Sequence, residues 1–195
     1  KKIKNADLIF YIDDNTIESF LHRALKTVES SHKVSLSKNK RIKLLPIREG
    51  GIWEEEIEHE GHDHAHGEFD PHLWLSPSNA IRIAKEVVKE LSKINPTKKD
   101  IYKSNALVFI NQMKENKKNI RKEVESIGSE SYIVFHDAYQ YFEKEFRLNP
   151  AGSISLNPEI SPTPKRINEI KLKILNDNVK CVFKEPQFPS KIVQL

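Results

Sequence analysis

Short apolar runs alternate with stretches of helical periodicity along this chain of 195 residues. Short apolar runs at residues 6–12 and 42–47 predict two strands, the first of them buried, and apolar positions at helical spacing across residues 17–28 predict a helix between them. A strand, a helix and a second strand in this order are typical of an α/β unit with a parallel sheet. The first part of the chain is therefore predicted to form an α/β lobe.

Two longer helical patterns occupy the middle of the chain. The first begins at Ser76 and Pro77, which suit a helix N-terminus, and ends at Asn95 and Pro96. The second runs on to Gly128, and its apolar face consists of Tyr102, Ala106, Phe109, Met113, Ile120, Val124 and Ile127. At ~1.5 Å per residue this helix spans on the order of 40 Å, more than one small domain requires. We therefore predict a rigid helix between two lobes.

The α/β rhythm resumes after the long helix. Apolar runs at residues 132–135, 154–156 and 179–183 predict strands, with helices in the two intervals between them. We predict an α/β fold of two lobes of parallel sheet with flanking helices, joined by a long rigid backbone helix. The predicted boundaries are 1–96, 97–128 and 129–195. Because the connection that follows residue 185 is abandoned at residue 195, we expect the C-terminal lobe to be incomplete, and we expect the N-terminal lobe to be incomplete as well.

Composition and charge narrow the possible functions only slightly. The chain is 37% hydrophobic and 31% charged, as in ordinary soluble domains, and has no run approaching the ~20 apolar residues of a membrane helix. Its net charge of +4 is spread over alternating Lys and Glu, so we expect no nucleic-acid partner. Cys181 is the single cysteine, which excludes an internal disulfide and a multi-thiolate zinc site. Its apolar surroundings predict a small buried side chain.

Residues 50–68 are rich in Gly, Glu and His without apolar periodicity, which predicts an exposed loop. Its histidines are His59, His62, His64 and His66. Imidazoles among carboxylates engage borderline-soft metals, but a flexible cluster loses entropy on binding, so we expect an auxiliary, weak metal site. A merely hydrophilic loop is the alternative. The isolated His22 and His32 are expected to be ordinary surface residues.

Two further histidines occupy more constrained positions. A proline and the bulky Trp74 flank His72 closely and restrict its backbone and rotamer. His136 directly follows the predicted strand at 132–135, and in open α/β sheets ligands collect outside the carboxyl ends of the strands. Because one histidine precedes the predicted long helix and the other follows it, they are candidates to face each other across a cleft between the lobes. The alternative is that each is a structural histidine.

Three longer motifs occur in the sequence: DPHLWLSP at residues 70–77, FHDAY at 135–139 with YFE at 141–143, and EPQF at 185–188. All three resemble motifs of the zinc-binding solute receptors of bacterial ABC importers. An acidic, His-rich loop just before the first motif is typical of the zinc branch of that family. The resemblance covers essentially the whole chain, with the motifs in the family's order.

The resemblance implies two α/β lobes joined by a long helix, with the metal between them. His72 and His136 match two of the family's ligand positions. The related manganese receptors carry a carboxylate where His136 stands, and imidazole favours Zn²⁺ over Mn²⁺, so the implied ion is Zn²⁺. The family's other ligands, a histidine and an acidic residue, are expected before Lys1 and after Leu195.

The resemblance also implies a function, which is high-affinity zinc capture outside the cytoplasm and delivery to an ABC permease in the membrane. We expect a monomer that is periplasmic or anchored to the outer face of the cytoplasmic membrane, with no catalytic residues. The alternatives are a receptor for manganese or another divalent metal, and a metal buffer or adhesin. A zinc hydrolase is the least favoured, because the sequence has no His-Glu-x-x-His arrangement with a positioned general base.

Overall fold

The computed structural model describes residues 3–15, 18–28, 32–48, 69–155 and 162–186. Contacts divide the chain into two compact units. The first unit comprises Lys1–Leu45 and Leu73–Asn119, and the second comprises Pro46–His72 and Ile120–Leu195. His72 and His136 therefore belong to the same unit. The lobe boundaries predicted from the sequence stay a prediction.

The first unit contains a short parallel sheet. Its strands are β1 (Leu8–Tyr11) and β2 (His32–Ser35), which pair with Leu8 opposite His32, and α1 (Leu21–Lys26) lies between them in the chain. Three 3₁₀ turns are present in the described residues, at Ile3–Asn5, Leu73–Leu75 and Pro96–Lys98. The buried apolar side chains of the unit are Leu25, Val28, Leu36, Ile42, Leu45 and Leu73.

The two central helices follow their predicted limits closely. Helix α2 (Pro77–Ile94) begins where the Ser76 hydroxyl accepts a hydrogen bond from the Asn79 backbone N–H over 3.1 Å. Helix α3 (Lys99–Glu125) is the longest of the described helices. Its half-buried stripe passes through Ile110 and leaves Phe109 exposed, so the predicted apolar face was wrong at that position. Ile127, also assigned to that face, lies beyond the helix end and is exposed.

The second unit is built on a three-stranded parallel sheet in the order β4-β3-β5. Its elements are β3 (Ser131–His136), α4 (Gln140–Phe146), β4 (Asn149–Ser155), α5 (Pro164–Asn176) and β5 (Cys181–Phe183). Ile133 and Phe135 of β3 pack with Ala151, Ile154 and Ile170 in one buried cluster. These parallel sheets and the long helix confirm the predicted mixed α/β fold.

The predicted strand at residues 42–47 was wrong. Ile42 and Leu45 are buried, but the segment is irregular apart from an isolated antiparallel bridge between Pro46 and Phe69. The fully buried amide of Asn79 accepts from the Lys43 backbone N–H at 3.0 Å and donates to the Lys43 carbonyl at 2.9 Å. The Asn79 side chain thus satisfies the backbone N–H and C=O groups of Lys43, which in a strand would pair with a neighbouring strand.

The prediction of a buried Cys181 was also wrong, because its side chain is exposed. Strand β5 lies at the edge of the described sheet, and its side chains alternate between the two faces. Val182 packs against the buried cluster, so Cys181 and Phe183 point to the opposite, exposed face. None of the helices in the described part of the chain is long and apolar enough to cross a bilayer.

Candidate metal centre

His136 is the last residue of β3, the central strand of its sheet. The strand pairs with β4 on one side and with β5 on the other, and His136 stands opposite Ser155. Because it lies at the carboxyl end of a parallel strand, its side chain projects from the sheet edge where ligands usually bind. The backbone of His136 is therefore held by a strand that is paired on both sides.

His72 is held in place by Asp70, two residues earlier in the chain. The Oδ1 atom of Asp70 accepts hydrogen bonds from the His72 backbone N–H at 2.9 Å and from its ring Nδ1 at 2.7 Å. The Asp70 carbonyl in turn accepts from the Tyr141 hydroxyl at 2.8 Å. An ionised carboxylate can only accept, so Nδ1 of His72 carries the proton and Nε2 presents its lone pair. This is the tautomer that a metal-binding histidine with a carboxylate partner adopts.

The structure brings the rings of His72 and His136 together. Their centroids are 5.1 Å apart and the ring planes meet at 75°. One tetrahedral zinc ion, bound at its usual 2.0–2.1 Å to one nitrogen of each ring, sets the two centroids roughly 5 Å apart. The observed separation therefore fits two imidazoles that share one ion.

Electrostatics at the pair keep His136 in the form that binds metal. Burial lowers the pKa of His136, the neighbouring charge of His72 lowers it further, and Asp70 opposes both effects. A neutral imidazole is the ligand form, so His136 is ready to bind at neutral pH. Glu185 lies nearby: burial raises the pKa of its carboxyl, while a hydrogen bond from the His136 backbone and the charge of His72 oppose that rise.

The pair supplies two donors. No group of three His, Cys, Asp or Glu side chains that suits a metal ion occurs in the described ranges. Structural zinc sites have four protein ligands, and catalytic sites have about three. Further donors are therefore needed to complete a zinc site around His72 and His136.

The other histidines belong to the first unit or lie outside the described part of the chain. His59, His62, His64 and His66 fall among the residues that the structure does not describe. The Nδ1 atom of His22 lies 3.2 Å from Asp14, and the Nε2 atom of His32 lies 2.6 Å from Glu90. Both belong to the first unit, whereas His72 and His136 belong to the second.

Sequence reasoning missed the residues that hold the two histidines. The Asp-Pro-His spacing was a local signal for Asp70, because aspartate side chains readily bond to the backbone two residues on. Arg48 had no such signal, since its partner Asp137 is 89 residues away in the chain. Its Nε donates to Asp137 at 3.1 Å and its Nη1 donates to Glu143 at 2.8 Å.

Comparison with known proteins assigns the chain to a family. The family described as zinc-uptake complex component A, periplasmic, matches residues 1–195, and the chain belongs to this family. The predicted family resemblance is thereby confirmed. The fold also matches solved structures, including a mutant of the laminin-binding adhesin Lmb from Streptococcus agalactiae. That match has a TM-score of 0.76 and 26% identity and covers 98% of this chain and 67% of the other.

Individual relatives are zinc proteins. The chain is 32% identical over 204 residues to the high-affinity zinc uptake system protein ZnuA of Yersinia pestis, which covers 99% of this chain and 64% of that protein. It is 30% identical to the zinc-binding protein AdcA of Streptococcus pyogenes serotype M1, covering 100% of this chain and 39% of AdcA. A zinc-bound AdcAII variant of Streptococcus pneumoniae matches with a TM-score of 0.71 and 28% identity, covering 99% of this chain and 66% of the other. The chain thus spans less than two thirds of the length of these ZnuA and AdcA relatives.

Proposed function

We propose that this chain captures Zn²⁺ outside the cytoplasm and hands it to an ABC-type permease. The observation that carries the proposal is the pair of His72 and His136, with ring centroids 5.1 Å apart and one ring fixed by Asp70. The names of the relatives support the same role, because ZnuA is described as part of a zinc uptake system and AdcA as zinc-binding.

The donor types favour zinc over manganese. Neutral imidazole nitrogen suits Zn²⁺, whereas Mn²⁺ prefers carboxylate, carbonyl and water oxygens. Both rings of the pair offer nitrogen, and His136 is kept neutral because burial lowers its pKa. A receptor for manganese or another divalent metal is therefore the less favoured proposal.

A receptor also fits these residues better than a hydrolase does. Zinc hydrolysis needs an open coordination position and a general base close to the metal-bound water. Asp137, the carboxylate adjacent to His136, is occupied by the guanidinium of Arg48 and is mostly buried. A carboxylate held in this way is already engaged and is not positioned as a free general base. The proposal is accordingly a binding protein that releases its ion unchanged.

The partner and the location follow from this role as proposals. The receptor is a monomer that meets an ABC permease at the membrane, and it is periplasmic or anchored to the outer face of the cytoplasmic membrane. The loop histidines at 59, 62, 64 and 66 act as an auxiliary, weaker metal site. An adhesin role is the second candidate, because the similar Lmb protein is described as bifunctional, with adhesin and metal-transporting activity.

Zinc titration of the intact protein tests the central proposal. Zinc affinity is measured by competition with a chromophoric chelator for the wild type, His72→Ala and His136→Ala. Each replacement is expected to weaken binding by at least about 100-fold, because one of the few side chains that bind the ion directly is lost. His22→Ala is the matched control and is expected to bind as the wild type does. Unchanged affinity in both pair variants would contradict the proposal.

Two further measurements separate the alternatives. His136→Glu places a carboxylate in the pair and is expected to lower the ratio of zinc to manganese affinity. A ratio that does not change would argue against His136 as a ligand. Binding to immobilised laminin, compared between the zinc-loaded and zinc-free protein, tests the adhesin role. Saturable binding at micromolar protein would support the adhesin role. The absence of binding would exclude it and leave zinc capture for transport as the single proposed function.

A further inference from the structure

Arg48 forms the most buried ion cluster of the second unit among the described residues. Its guanidinium donates to both carboxylate oxygens of Asp137 and, through Nη1, to Oε2 of Glu143 at 2.8 Å. The three side chains are only 16%, 9% and 2% exposed. The Tyr132 hydroxyl completes the cluster by donating to Oε1 of Glu143 at 3.2 Å. One planar fork thus holds two carboxylates in a fixed mutual geometry.

This cluster is joined to both histidines of the metal centre. Asp137 directly follows His136 in the chain, so the hydrogen bonds from Arg48 to its carboxylate restrain the end of β3. Glu143 lies on α4, and the same helix donates from the Tyr141 hydroxyl to the carbonyl of Asp70, which orients His72. Arg48 therefore lies where a single side chain restrains the supports of both rings.

The backbone around Arg48 is anchored to the same elements. The amide of Gln140 on α4 donates to the carbonyl of Pro46 at 3.2 Å. Pro46 also forms an antiparallel bridge with Phe69, immediately before Asp70. The bridge and these hydrogen bonds connect residues 46–48 and 69–72 to each other and to α4. An imidazole displaced by about 1 Å from its productive geometry binds metal poorly, so such supports matter for affinity.

We propose that Arg48 is a positioning residue of the metal centre, which sets the distance between His72 and His136 by clamping Asp137 and Glu143. The inference rests on the proposed function, since it concerns the same pair of ligands. Arg48 does not touch the ion. It acts through the strand end that carries His136 and through α4, which supports Asp70.

The test compares Arg48→Lys and Arg48→Gln in the intact protein. Lysine keeps the charge but cannot reproduce the two-carboxylate fork, and glutamine removes the charge as well. Zinc affinity is measured by chelator competition, and the visible absorption of the Co²⁺-substituted protein reports coordination geometry. Folding is checked by circular dichroism and urea denaturation. Arg147→Gln replaces an exposed arginine of the same unit and is the matched control.

The expected result is a loss of about 10–100-fold in zinc affinity for Arg48→Lys, with a changed Co²⁺ spectrum and retained secondary structure. A merely structural ion pair would lower stability without changing the spectrum of the folded, metal-loaded protein. If Arg48→Gln does not fold, the lysine variant alone carries the test. Affinity within twofold of the wild type together with an unchanged spectrum would overturn the inference.

The outcome also distinguishes this inference from the proposed function. Loss of zinc binding in His136→Ala with normal binding in Arg48→Lys would contradict only the positioning role of Arg48. Normal zinc binding in both His72→Ala and His136→Ala would remove the metal centre itself. A loss in the histidine variants and a smaller loss in Arg48→Lys, with wild-type behaviour of Arg147→Gln, is the result that supports both.

Discussion

One carboxylate oxygen of Asp70 accepts hydrogen bonds from both the backbone N–H and the ring Nδ1 of His72, at 2.9 and 2.7 Å. Asp70 is itself nearly inaccessible, with 4% of its surface exposed. The link fixes the tautomer of the ring and its rotation together. His72 therefore needs little reorganisation to present Nε2 to an ion.

Replacement of Asp70 by asparagine is expected to weaken zinc binding by about 10–100-fold. The amide keeps the shape but loses the charge, so the protonated Nδ1 of His72 is held less firmly. Chelator competition on the intact protein measures the change. Asp100→Asn is the control, because that side chain is 97% exposed and is expected to leave zinc affinity unchanged. Equal affinities for the Asp70 variant and the wild type would exclude the orienting role.

Glu90 on α2 is expected to make folding stability depend on acid pH. Burial would raise the pKa of its carboxyl, but hydrogen bonds from Lys93, Lys89 and His32 outweigh burial and lower it to about 2. A pKa below the ordinary value of 4.5 means that the ionised form is favoured in the folded state. Its contribution is present above the unfolded pKa and is lost as the pH falls toward the folded pKa.

The free energy of unfolding should therefore decrease between about pH 5 and pH 2, and less steeply in Glu90→Gln than in the wild type. Urea denaturation at a series of pH values measures both slopes. Glu115→Gln is the control, because its side chain is 61% exposed on α3 and its variant should keep the wild-type slope. Identical slopes in the wild type and the Glu90 variant would show that the Lys93 and His32 contacts do not stabilise the folded state.

Cys181 is expected to react with a thiol reagent in the folded protein. It lies on the exposed face of the edge strand β5, so its sulfur is accessible without unfolding. Ellman's reagent in native buffer should release one equivalent of chromophore, and Cys181→Ser should release none. Reaction that begins only after denaturant is added would mean that this face is covered.

Arg147 adopts a left-handed backbone at the end of α4, with φ 57° and ψ 45°. A side chain carries a steric cost in this region that glycine avoids. Arg147→Gly is therefore expected to raise the free energy of unfolding by roughly 0.5–1 kcal/mol in urea denaturation. Arg147→Ala removes the same charge but keeps the Cβ atom, so it should bring no gain. Equal stability of the two variants would contradict the backbone argument.

Elements with strong local signals could be predicted from the sequence. The Ser76-Pro77 start of α2 and the long periodic pattern of α3 depend on neighbouring residues, and both helices form where expected. Strand β2 could not be recognised, because its sequence His-Lys-Val-Ser contains one apolar residue and owes its pairing to β1. The apolar run at 42–47 was misassigned because Asn79, far along the chain, satisfies its backbone.

The candidate site divides in the same way. His72 and His136 stood out through their sequence positions and the family motifs, and their role as ligands stays a prediction. The contacts of Arg48 could not be predicted from the sequence, because nothing near residue 48 indicates that it binds Asp137 and Glu143, 89 and 95 residues away. Contacts of this range depend on how distant parts of the chain fold together, which periodicity does not encode.

The most direct measurement is a crystal structure of the intact, zinc-loaded protein with anomalous diffraction data collected on both sides of the zinc absorption edge. The account predicts one strong anomalous peak about 2.0–2.1 Å from Nε2 of His72 and from a ring nitrogen of His136. A main peak bound by neither imidazole, or by one alone with the second ring turned away, would contradict it.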